Sequence, residues 1–233
     1  SIGSQRAGGN DHRAFGNLSH FFGNYRNIGM RLDLFGDHPG EAVAVHSQGT
    51  AGGHPGHLGC LQQPAAHQPH LGFQQAGFDI VWANEFDADA AKTYRHNFGG
   101  EHLVEKDIRK VDASEIPDFD VLVAGFPCQP FSIMGFRKGF NDPRGNLFFE
   151  IARIAEAKKP KVIFLENVAN LLEHDDGKTF LAVYNALVPY GYTLKYRVMD
   201  AIDYGNVPQH RTRIFIVAFL DNDKCESFSF PSE

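Results

Sequence analysis

The chain has 233 residues, three cysteines and a formal net charge of −6. That length holds one or two domains. Three cysteines in unrelated contexts form no disulfide framework, which points to a reducing cytosol, and the acidic balance excludes a uniformly basic nucleic-acid binder. No signal peptide, membrane-spanning stretch or internal repeat is read in the sequence.

Residues 1–70 hold 8 of the 12 histidines and 13 of the 24 glycines, but no lysine. No segment there sustains a helical or strand period. The region is read as an atypical Gly/His-rich segment, disordered or translated out of frame, with the true frame resuming near residue 70. Its histidines lack ligand spacing such as His-x-x-x-His, so no metal site is expected.

Downstream, Asp79-Ile80-Val81-Trp82-Ala83 predicts a strand over 79–84. It ends at Glu85, the place where Rossmann-like folds put an acid on ribose hydroxyls. A helix over 87–97 and a strand over 103–106 follow. The apolar run Asp120-Val121-Leu122-Val123 predicts a buried parallel strand over 120–125. Gly125 and Pro127 break that strand and leave Cys128 on a loop just past its carboxyl end, where open α/β sheets bind ligands. A cysteine there is a nucleophile candidate, against the alternative of a small buried hydrophobe. The stretch from Phe131 to Asn146 carries Gly135, Gly139 and Gly145 with Arg137, Lys138 and Arg144. It reads as a mobile loop whose hinges are glycines and whose cations meet phosphates.

A helix over 146–158 leads to a strand over 161–166 that runs into Glu166-Asn167-Val168. A carboxylate at a strand's carboxyl end is placed to exchange a proton with a substrate; the alternative is a helix cap. A helix over 178–189 and strands over 194–200 and 213–220 complete the pattern. Arg211 and Arg213, two residues apart in extended chain, point to one face. Paired guanidinium forks suit a phosphate, a carboxylate or an electron-rich carbonyl, unless they form a solvated face. The alternation of strands and helices argues a doubly wound α/β sheet, closed by an antiparallel pair.

Six segments stand in one order: Asn84-Glu85-Phe86-Asp87, Lys106-Asp107-Ile108, Pro127-Cys128-Gln129, Arg144-Gly145-Asn146-Leu147-Phe148-Phe149-Glu150, Glu166-Asn167-Val168 and Gln209-x-Arg211-x-Arg213. In that order and spacing the chain resembles the DNA (cytosine-5) methyltransferase family, of the bacterial modification methylase type, from about Leu71 to the end. The resemblance implies a Rossmann-like class I methyltransferase sheet, mostly parallel with an antiparallel edge strand, over residues 71–233. It departs from the family pattern in two places. The aromatic-x-Gly-x-Gly motif expected just before Leu71 is replaced by Leu61-Gln62-Gln63-Pro64-Ala65-Ala66-His67-Gln68-Pro69-His70, and no target-recognition region follows Phe230-Pro231. The catalytic domain is therefore read as truncated, its sheet incomplete, its sequence reader missing.

By the same resemblance, Cys128 is the thiolate that adds to C6 of a flipped-out cytosine. Glu166 protonates or hydrogen-bonds ring N3, and Arg211 and Arg213 support O2 and hold the nucleophile loop. S-adenosylmethionine is the implied methyl donor: Glu85 takes its ribose, Phe86 packs on the adenine, Asp107 accepts from the adenine amino group, the Ile108 backbone meets a ring nitrogen, and Pro127 and Leu147 line the pocket. The implied substrate is double-stranded DNA, methylated by a cytoplasmic monomer working alongside a restriction endonuclease, with no membrane partner. Alternatives are a tRNA cytosine-5 methyltransferase and an inactive remnant or interaction protein.

Overall fold

The computed structural model describes residues 41–46, 67–126, 147–204 and 208–232. Among these, seven strands form one sheet: Glu41–His46 (β1), Asp79–Glu85 (β2), Leu103–Glu105 (β3), Val121–Gly125 (β4), Val162–Val168 (β5), Thr193–Asp200 (β6) and Thr212–Phe219 (β7). Their order is β3-β2-β1-β4-β5-β7-β6. The strands from β3 to β5 are parallel. β7 runs antiparallel to both β5 and β6. The expected antiparallel pair is present, with one refinement: β7 is the reversed strand and lies inside the sheet, while β6 forms the edge.

Six residues of the 1–70 stretch enter the sheet. Glu41-Ala42-Val43-Ala44-Val45-His46 pairs in parallel with both β2 and β4 and so lies mid-sheet. A strand paired on both edges in a parallel sheet reads as a short apolar run without alternation, and this one is four alanines and valines long. His67–Gln75 is one helix (α1) that runs across residue 70.

α1 ends where Gly77 takes φ +90°, a left-handed conformation that costs glycine nothing. The Phe78 amide then bonds the Phe73 carbonyl at 3.0 Å, and the two rings meet edge to face at 5.1 Å. This is the hydrogen bond and apolar contact of a Schellman ending. The remaining helices are Ala88–Phe98 (α2), Leu147–Lys158 (α3), Lys178–Leu187 (α4), Ala201–Tyr204 (α5) and Asn222–Ser227 (α6). Asp87 caps α2 by accepting from the Ala90 amide at 2.8 Å.

Strand alternation sorts the core onto two faces. Leu122, Ala124, Ile163, Leu165, Ile214 and Ile216 pack with Phe148 and Ile151 of α3 and with Val183 and Leu187 of α4. Val121, Val123, Phe164, Phe215 and Val217 pack with Phe73 of α1 and with Cys225 and Phe228. Helices on both faces of a mainly parallel sheet are the layered α/β arrangement the alternation predicts. No described helix is long and apolar enough to cross a membrane.

Candidate active site

The register of the sheet builds the site. β2, β4 and β5 are parallel, so Glu85, Gly125 and Glu166 come out along one carboxyl edge; Gly125 stands directly opposite Glu166. β7 is antiparallel, so its amino end reaches the same edge, with Arg213 opposite Val168 and Phe215 opposite Glu166. Arg213 is then the diagonal neighbour of Glu166 on one face, within reach of a long side chain.

The side chains use that placement. Arg213 Nε donates to Glu166 Oε1 at 2.8 Å, and Arg211 Nη2 stands 4.0 Å from the same oxygen. Charge-assisted contacts of this kind are shorter and stronger than neutral ones. Each of the three side chains is less than a third exposed. The sequence brought the two arginines to one face without identifying their partner, which is the carboxylate. Glu166 Oε2 faces Gly125: a Cβ built there would lie 3.7 Å from it. Cys128 and Pro127 lie outside the described residues, as does the stretch from Phe131 to Asn146.

One residue of the Glu-Asn-Val segment does something the sequence did not assign. Asn167 is buried, and its Nδ2 donates to the Phe126 carbonyl at 2.8 Å across 41 residues of chain. Its Oδ1 accepts from the Val168 amide at 2.8 Å. Asn167 therefore pins the backbone two residues ahead of Cys128 to the strand that carries Glu166. Only its position beside Glu166 signalled this.

A second cluster lies at the ends of β2 and β3. Glu85 is 4 % exposed. Its Oε1 accepts from the Phe86 and Asp87 amides at 2.8 and 2.9 Å, and Oε2 has no hydrogen-bond partner among the described residues. Burial pushes its carboxyl up, against the pull of those two amides. A buried oxygen without a donor needs one, and a ribose hydroxyl has that chemistry. Phe86 beside it is 46 % exposed, a ring face on which a base can stack.

Asp107 is engaged differently. Arg109 grips both of its oxygens, Nη2 to Oδ2 at 2.6 Å and Nε to Oδ1 at 2.9 Å, and the Arg109 amide adds a third bond at 3.0 Å. The Arg109 guanidinium holds the carboxyl below the usual range. An adenine amino group would share that carboxylate with Arg109. Ile108 is buried, and its carbonyl accepts from Arg153 of α3 at 3.2 Å, with Val111 accepting at 2.9 Å. Leu147, the first residue of α3, packs against the core beneath. Glu85 and Phe86 fit a nucleoside; Asp107 fits with Arg109 as its rival.

Fold and edge together give the Rossmann-like methyltransferase fold: a seven-stranded sheet with β7 reversed, an acid and an exposed ring at the end of β2, and a carboxylate–arginine cluster on β5 and β7. The family model for C-5 cytosine-specific DNA methylase matches residues 67–233, and the chain belongs to that family. It is 53 % identical over 163 residues to the type II methyltransferase M.Bsp6I of Bacillus sp. (strain RFL6), covering 69 % of this chain and 51 % of that protein. It is 46 % identical over 161 residues to the type II methyltransferase M.HhaI of Haemophilus parahaemolyticus, covering 69 % and 48 %. The chain thus spans about half the length of the curated relatives it matches.

Among solved structures, S. pombe Dnmt2 methyltransferase superposes with a TM-score of 0.57 at 23 % identity, covering 77 % of this chain and 50 % of that one. That likeness speaks for the fold. A putative DNA modification methyltransferase from an E. coli prophage gives 0.51 at 26 % identity, covering 61 % and 40 %.

Proposed function

We propose that this chain carries the catalytic machinery for methylating C5 of cytosine in DNA through a covalent cysteine intermediate. The observation that carries the proposal is the Glu166–Arg213 pair at the carboxyl edge, opposite Gly125. Cys128 follows Phe126 by two residues in the chain, and β4, which ends at Gly125, pairs with the strand that carries Glu166.

The chemistry follows from the poor nucleophilicity of cytosine C5. The Cys128 thiolate adds to C6, and the electron pair of the C5–C6 double bond moves toward N3. Glu166, hydrogen-bonded to N3, donates a proton there so that charge does not accumulate on the ring. C5 is now enamine-like and takes up the methyl carbon, and as the C4–N3 double bond re-forms the N3 proton returns to Glu166. Loss of the C5 proton then restores the double bond and expels the thiolate, which splits one difficult step into easier ones. Arg213 and Arg211 hold Glu166 in place. The reacting base must leave the helix stack to reach these groups.

Bound S-adenosylmethionine would supply the methyl as an electrophile. Glu85 would take its ribose and Phe86 its adenine, with Asp107, Ile108, Pro127 and Leu147 around them. The family description supports DNA as the substrate, and the relatives' names as type II methyltransferases support a restriction-modification setting; we infer that the DNA is duplex and that a restriction endonuclease shares the recognition site. We place the protein in the cytoplasm as a monomer.

The test is methyl incorporation. Unmethylated DNA incubated with the chain and tritiated S-adenosylmethionine should gain 5-methylcytosine, and Cys128→Ser should abolish the gain. Label appearing in tRNA, or equally with Cys128→Ser, contradicts the proposal.

A further inference from the structure

Arg211 immediately precedes β7 and Arg213 is its second residue, and the chain that delivers them leaves β6 through α5. One carboxylate closes the mouth of that connection. Asp200, the last residue of β6, faces Thr212 across the β6–β7 ladder. Its Oδ1 accepts from the Arg211 amide at 2.8 Å and from the Ile202 amide at 3.3 Å. Its Oδ2 accepts from the Thr212 hydroxyl at 2.9 Å and lies 3.3 Å from His210 Nδ1. The Ala201 amide adds a backbone bond to the Arg211 carbonyl at 3.2 Å. Four side-chain contacts thus converge on a group 18 % exposed.

We infer that Asp200 is a positioning residue that sets Arg211 and Arg213 against Glu166. This rests on the proposed role of Glu166 in cytosine methylation. The reasoning is geometric. Arg211 and Arg213 reach Glu166 only if β7 starts at the right residue, and at a strand's end the ladder alone leaves the terminal residues free to fray. Asp200 fixes the Arg211 amide directly and the Thr212 side chain beside it, so the start of β7 is anchored from the facing strand. A carboxylate suits the task because it offers two oxygens and about four lone-pair sites to donors on both sides of the connection. The same contacts hold the Asp200 carboxyl down to about 2, the Arg211 amide contributing most. The sign is that of a depressed acid: its stabilisation is present above the ordinary aspartate range and fades only as pH falls toward 2. The clasp therefore stays ionised throughout the neutral range.

The experiment reads the Arg213 side chain itself by NMR, in this chain, with Asp200→Ala and Asp200→Asn. Asparagine keeps an oxygen for the Arg211 amide and a polar group for Thr212. Solvent exchange of the Arg213 Nε proton should rise at least about ten-fold in Asp200→Ala, as a lost hydrogen bond of about 1.4 kcal/mol implies, and stay near the wild-type rate in Asp200→Asn. Exchange of the β5 and mid-β7 backbone amides should not change. An unchanged Arg213 proton in Asp200→Ala overturns the inference, and so does a uniform rise across β5 and β7, which is general loosening. Should Asp200→Ala not fold, Asp200→Ser, whose short hydroxyl cannot reach both sides, serves the same comparison. The readout needs no catalysis. A chain that shows the Asp200 dependence yet never methylates DNA defeats the proposed function alone, whereas a chain that methylates DNA without the Asp200 dependence defeats the clasp alone.

Discussion

Gly125 faces Glu166 across the β4–β5 ladder without a side chain of its own. A Cβ at that position would sit 3.7 Å from Glu166 Oε2, an ordinary van der Waals contact. Alanine therefore fits, while the two further carbons of valine would extend into the space in front of the carboxylate. Gly125→Ala should keep methyl transfer within a few-fold of wild type. Gly125→Val should lose about 100-fold, the cost of displacing a reacting group by about 1 Å, with the thermal midpoint close to wild type. Equal activity in both variants would show that nothing needs to approach Glu166 from that side. The sequence identified Gly125 only as a strand breaker. Its facing of Glu166 depends on the β4–β5 register, which no local pattern specifies. The same holds for Asn167 and Asp200: each residue type is plain in the sequence, but its partner lies 41 or 11 positions away along the chain.

At the scale of elements, α1, α2 and the start of β3 are tied by one buried hydroxyl. Tyr94 Oη lies 2.5 Å from His70 Nδ1 and 2.8 Å from His102 Nε2, and the Phe98 ring packs on His70 at 4.1 Å. Burial pushes the His102 imidazole below its ordinary range, Glu101 opposing in part. A histidine held low in the folded state takes up a proton on unfolding as pH drops. Its stabilisation is complete above about pH 6.5 and is lost as pH falls through the folded value. The thermal midpoint should therefore decline below about pH 6.5, and less steeply in His102→Gln, which keeps a hydrogen-bonding group for Tyr94 without titrating. A decline of equal slope in both would place the proton uptake elsewhere. The elements themselves were largely legible. β2, β4, β5 and β7 begin and end within two residues of the expected bounds because glycine, proline or charge marks their limits. β1 was not, since four small apolar residues in a Gly/His-rich stretch carry no period to detect.

Across the whole molecule, one reversed strand explains why Glu166 and the arginines meet at a single edge. Parallel strands deliver Glu85, Gly125 and Glu166 by their carboxyl ends, and β7 delivers Arg213 by its amino end because it runs the other way. A parallel strand in that place would put the arginines at the opposite edge of the sheet. The order of the six sequence segments anticipated the family, and the alternation of elements anticipated the layers. What neither contained was the pairing of Glu166 with Arg213, which arises only when strands far apart in sequence come into register. If the proposed DNA substrate holds, the acidic net charge of −6 means that it is met by local cations rather than by the field of the whole chain.

The most direct measurement is covalent capture. A DNA duplex carrying 5-fluorocytosine lacks the C5 proton whose loss frees the enzyme, so a thiolate that adds to C6 and is followed by methyl transfer stays attached. Incubated with the chain and S-adenosylmethionine, such a duplex should yield a stable adduct that peptide mass spectrometry maps to Cys128, absent in Cys128→Ser. An adduct that survives that substitution, or one carried by Cys60 or Cys225, would contradict the account.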